Sequence, residues 1–157
     1  MSQEQAFALE CSVLYRLNET EKRFGTQRFP ALCAIDLDRF SITMDYVGTS
    51  LDALSNNEPV IVVESYREQL REIVMLLQKA NVVHLDLYPG HRGRNVCVTE
   101  SGRLSLIDFD ICMIDSIIMS PECEKRLKHV KEHGGYEYIY NVMELALRDC
   151  RGISLKN

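Results

Sequence analysis

The chain has 157 residues, 46% of them hydrophobic and 26% charged, with a net charge of −5. That size and composition predict one ordinary globular domain with a real core. The acidic balance excludes a surface built to coat nucleic acid. No uncharged apolar run approaches the ~20 residues needed to span a bilayer, so no membrane partner is expected.

Six cysteines are scattered at 11, 33, 97, 112, 123 and 150 without a C-x-x-C pair. Residues 1–10 carry Glu4 and Glu10 and lack the basic start and apolar run of a leader. Reduced thiols in a cytoplasmic protein are the expectation, and the same thiol chemistry leaves a nuclear location open as the alternative.

Apolar residues at Phe7, Leu9, Val13, Leu14 and Leu17 predict an amphipathic helix from Gln5 to Leu17, ending near Asn18. Ala31–Ile35 and Phe40–Met44 read as two strands of a hairpin across Asp36-Leu37-Asp38-Arg39. Gly48 frees a connector, and Thr49 or Ser50 caps a short helix through Leu54. After the break Asn56-Asn57-Glu58-Pro59, the stripe Tyr66, Leu70, Ile73, Val74, Leu77 predicts a long helix over about 60–80.

Asn95–Thr99 and Leu104–Ile107 form two further short strands around Glu100-Ser101-Gly102-Arg103. Ser120-Pro121-Glu122 starts a helix with proline at its first position. Gly134-Gly135 separates it from a last helix over Tyr136–Cys150.

The chemistry concentrates in His84-Leu85-Asp86-Leu87-Tyr88-Pro89-Gly90, then Asn95, then Ile107-Asp108-Phe109-Asp110. Asp86 follows the apolar pair Val82-Val83, in a loop where its carboxylate can accept a proton. Asp108 ends an apolar strand, as suits a carboxylate ligand to a hard cation such as Mg²⁺. A hairpin from Asn95 to Asp108 brings its own ends together, so the amide oxygen and the carboxylate converge. Two acids and an amide so placed suit phosphoryl transfer, which needs positioned charge more than covalent help.

Taken together, these segments resemble the catalytic loop and metal-binding motif of the protein-kinase-like superfamily, in its fungal kinase-like and aminoglycoside-phosphotransferase branches. The resemblance covers about residues 7–112. It implies a catalytic role for Asp86, metal ligation by Asn95 and Asp108, a bracing role for His84 and an inward-packed Phe109. It also implies that Glu10 is the helix glutamate beside the nucleotide site. Met44 and Tyr46 stand in the stretch that resembles the last N-lobe strand and hinge.

Implied cofactors are ATP and Mg²⁺. The implied fold is α+β, with a residual N-lobe over about 1–47 and a reduced helical C-lobe over about 48–157. Only nine residues precede Glu10, leaving no place for a glycine-rich loop and an ATP-binding lysine, so an N-terminally truncated kinase with weak or no turnover is expected. A pseudokinase acting as a binding module is the alternative, with a protein partner or self-association through the bared N-lobe.

The insertion His91-Arg92-Gly93-Arg94 stands before Asn95. Arg92 and Arg94 either replace the lysine as phosphate clamps or lie on a plain solvated loop. Lys125, Arg126, Lys128 and Lys131 read as a solvated helix face.

Overall fold

The first helix, α1 (Gln3–Phe24), is longer than its apolar spacing predicts. Ser2 and Gln5 form a reciprocal capping box at its start, and Gly25 closes it in the left-handed conformation. The extra turns persist because Glu21 is buried under the following loop. Its two carboxylate oxygens accept the backbone N–H groups of Arg28 and Phe29. The computed structural model describes residues 2–54, 59–91, 93–117 and 120–157, with only the backbone of His91.

The predicted hairpin forms as β1 (Leu32–Asp36) and β2 (Ser41–Met44), antiparallel and largely exposed. Thr49–Ser50 (β3) then joins the edge of a second antiparallel hairpin, β6 (Val96–Val98) and β7 (Leu104–Leu106). Neither Thr49 nor Ser50 caps the short 3-10 turn at Leu51–Ala53: Ser50 Oγ donates to the Arg94 carbonyl, and Thr49 pairs with the Tyr46 hydroxyl.

The long helix predicted from residue 60 is shorter. Ile61–Val63 is a strand, β4, and helix α2 runs only over Tyr66–Lys79. Three consecutive β-branched residues favour the extended form, and a parallel partner, β9 (Ile153–Leu155), accepts them from the far end of the chain. The residues Asn56, Asn57 and Glu58 of the predicted break lie outside the described ones.

Val82–His84 (β5) pairs antiparallel with Cys112–Ile114 (β8), a strand that the sequence pattern does not single out. Helices α3 (Pro121–Glu132) and α4 (Tyr136–Asp149) begin and end near their predicted limits. Ser120 Oγ accepts the Cys123 N–H at the head of α3. The chain is thus a mixed α and β structure of four helices and small sheets among the described residues. α2 lies at the centre of its core, with Leu70, Ile73, Leu76 and Leu77 fully buried. No helix among the described residues is long and apolar enough to cross a membrane.

Two glycines show how tightly the hairpins are set. Gly102, at the β6–β7 turn, has φ +82°, and a Cβ there would collide with the Val62 carbonyl oxygen of β4. Gly25 has φ +65° but faces open space. Gly102→Ala is therefore expected to cost about 2 kcal/mol or more, against about 1 kcal/mol for Gly25→Ala. Urea unfolding of the two variants measures the difference, and equal costs would contradict this packing.

Candidate functional site

The motif residues are placed by β5, the loop after it and the β6–β7 hairpin. His84 closes β5 and is completely buried. Its Nδ1 accepts the Asp86 N–H (3.2 Å), which leaves Nε2 as the protonated nitrogen, donating to the Ile107 carbonyl (3.0 Å). Burial is the main force holding the imidazole below its ordinary pKa, so the ring is neutral. Phe109 is also buried and packs edge-on against His84, with centroids 5.0 Å apart. Phe109 thus packs inward, and His84 bridges the two backbone segments on either side of it.

Asn95 lies nine positions beyond Asp86, yet the insertion does not part them. The Asn95 Nδ2 donates to the Asp86 carbonyl (3.0 Å) and to its Oδ2 (3.1 Å). The Asn95 carbonyl in turn accepts the Ile107 N–H (2.9 Å), at the mouth of the hairpin. Ile107 is therefore held on one side by Asn95 and on the other by His84. Asp108, the next residue, is fixed in a left-handed conformation at φ +65°. The turn brings the Asn95 backbone to Ile107, the residue before Asp108.

Asp86 is only 4% exposed. A buried carboxylate needs charged or hydrogen-bonding partners, and most of these come from outside the motif. Arg126 of α3, read from sequence as part of a solvated face, donates from Nη1 to Asp86 Oδ1 at 2.6 Å and to the Leu85 carbonyl at 3.3 Å. Its Nε is anchored on Glu122 at 2.9 Å. Arg94 approaches Asp86 Oδ2 at 3.7 Å while remaining mostly exposed, a solvated cation within reach of the loop carboxylate. Arg92 lies outside the described residues. No sequence pattern points to Arg126, because its partner is 40 positions away and on a different element.

A second group of acids gathers beside this loop. Glu10 of α1 is half-buried, and its carboxyl is raised above the usual range by burial and then by the charges of Asp108 and Asp110. Asp110 is pushed up to about 6 by partial burial, a hydrogen bond with Asp108, and the charges of Asp108 and Asp86. Each of these groups therefore feels another's field. No ion pair to Lys or Arg reaches Glu10, Asp108 or Asp110 among the described residues. No three Asp, Glu, His or Cys side chains among the described residues stand where they could cage one metal ion. Mg²⁺ does not require such a cage: it usually takes one or two carboxylates and completes its shell with water and phosphate oxygens. The Asp108–Asp110 pair, which no described Lys or Arg compensates, fits that habit.

Met44 and Tyr46 are farther out. Met44 is 40% and Tyr46 79% exposed, and no hydrogen bond joins either to the motif loop among the described residues. Asp45, between them, instead ties the connector to Ala31 through backbone and side chain. No protein-family model matches the chain, and no curated protein is similar to it.

The neutral state of His84 makes stability pH-dependent. Its folded pKa lies below the unfolded value near 6.5, so the unfolded chain takes up a proton that the folded chain refuses. This stabilisation is complete above about pH 6.5 and is lost as pH falls below it. Between pH 7.5 and 5.5 the wild type should lose on the order of 1 kcal/mol more than His84→Gln in urea unfolding. Parallel losses in the two proteins would contradict a buried neutral imidazole.

Proposed function

We propose that the chain is a protein-kinase-like protein of the ATP- and Mg²⁺-dependent phosphotransferase type, in minimal or degenerate form. One observation carries this reading: Asn95 clamps Asp86 while its own carbonyl fixes Ile107, so the residues of three separated motif segments share one hydrogen-bonded unit. In a set of unrelated turn residues, the insertion at 91–94 would separate them. Glu10 supports the same reading, since α1 brings it into the field of Asp108 and Asp110.

In this reading Asn95 Oδ1 and the Asp108 carboxylate hold the cation, whose charge neutralises the phosphates of a bound nucleotide. Asp86 orients the acceptor hydroxyl and takes its proton. His84 does neither, because a buried neutral ring engaged at both nitrogens has no proton to exchange with a substrate. It acts by holding the loop. Arg94 supplies a positive charge at the loop rim, where a phosphate oxygen can meet it.

A second reading, a kinase-derived binding module without turnover, is favoured by the partners of Asp86. Its Oδ1 is held by Arg126 and its Oδ2 by Asn95, with Arg94 close by. A carboxylate so engaged accepts a proton only if Arg126 lets go.

A thermal-shift titration tests both. Millimolar ATP with Mg²⁺ should raise the unfolding midpoint of the wild type by a few degrees, and Asp108→Ala should remove most of that rise. An unmoved midpoint defeats the proposal. Phosphotransfer abolished by Asp86→Ala would defeat the second reading, and unchanged nucleotide binding with no turnover in either protein would uphold it.

A further inference from the structure

A cavity of about 320 Å³ opens between helices α3 and α4 and the motif loop, at Leu85 and Leu87 on either side of Asp86 in the chain. Leu85, Leu87, Tyr88, Val130 and Tyr138 give it an apolar wall. Arg126 belongs both to this wall and to the Asp86 ion pair. Lys125 and His129 stand at the same cavity, and both are exposed. Among the described residues Lys125 has no ion-pair partner. Glu122 is the acid of the lining, and it is already engaged by Arg126.

We propose that this cavity is the seat of a small anionic acceptor with an apolar body and a hydroxyl group, a ligand class that rests on the phosphotransferase reading. The volume suits a single ring with a short side chain. The apolar wall takes the ring, and Lys125 supplies an unspent positive charge. Arg126 supplies the selectivity. A ligand carboxylate that engages its guanidinium competes with Asp86 for the same donor, so anion binding loosens the Arg126–Asp86 pair as a ligand hydroxyl arrives. A neutral alcohol of the same shape leaves Arg126 on Asp86. The cavity thus couples acceptor charge to the Arg126–Asp86 pair.

Phenyllactate and 2-phenylethanol, alike in ring and hydroxyl but different in charge, test this by NMR titration of the full chain. Phenyllactate should shift the signals of Leu87, Val130 and Tyr138 saturably in the millimolar range, with 2-phenylethanol about tenfold weaker. Lys125→Ala, an exposed site remote from the core, should weaken phenyllactate several-fold, and Arg126→Gln more. No saturable shift, equal binding of the neutral alcohol, or undiminished binding by Lys125→Ala would overturn the assignment. The ATP–Mg²⁺ titration separates the two claims. Phenyllactate binding without nucleotide binding would remove the phosphotransferase reading and keep the anion seat; the reverse result would remove the seat alone.

Discussion

The imidazole of His84 joins two backbone segments that carry the acids of the site. One nitrogen accepts from Asp86 and the other donates to Ile107, the residue before Asp108. The bridge works only while the ring is neutral and one tautomer persists: complete burial imposes the first condition, and the two backbone partners impose the second. Phe109 packs on the ring, and Phe29 packs on Phe109, so the hydrogen bonds sit inside a stack of aromatic contacts from which water is excluded. In such a setting a misplaced proton costs far more than at the surface. Asn95 adds the second tie, and β5, the loop and the β6–β7 hairpin then move as one body.

Charge is distributed unevenly around that body. On one side Asp86 is compensated by Arg126 and approached by Arg94. On the other, Glu10, Asp108 and Asp110 repel one another without a basic partner among the described residues. The folded chain therefore keeps one carboxylate paired and oriented while holding others in a state that a cation would relieve. Removing Arg126 would take from the buried Asp86 carboxylate its 2.6 Å charged contact, and breaking a buried pair costs several kcal/mol. α3 is consequently part of the site, although its helix contributes no residue to the motif.

The local parts of this arrangement were legible in the sequence because their causes are local. Ser120 and Pro121 announce the start of α3, and Gly134-Gly135 its separation from α4. The alternation around Glu100–Arg103 announces the hairpin that brings Asn95 to Ile107. What depends on distant pairing was not legible. Ile61–Val63 reads as the front of a helix until Ile153–Leu155 is seen to lie beside it. Cys112–Ile114 reads as part of an apolar run until Val82–His84 pairs with it. Arg126 reads as one of four surface cations, since nothing near it in the chain reveals the carboxylate it meets. The α1 terminus was misjudged for a related reason: Glu21 is polar, and its burial comes from the loop it caps.

The central claim is spatial: Asn95 and Asp108 face a shared cation position beside an oriented Asp86. Crystals of the full chain grown with Mn²⁺ and a non-hydrolysable ATP analogue test it most directly, because manganese scatters anomalously and replaces Mg²⁺ among oxygen ligands. The account predicts an anomalous peak within coordination distance of the Asn95 Oδ1 and the Asp108 carboxylate, with nucleotide phosphates completing the shell. A peak elsewhere, or bound nucleotide with no metal at these two residues, would contradict it.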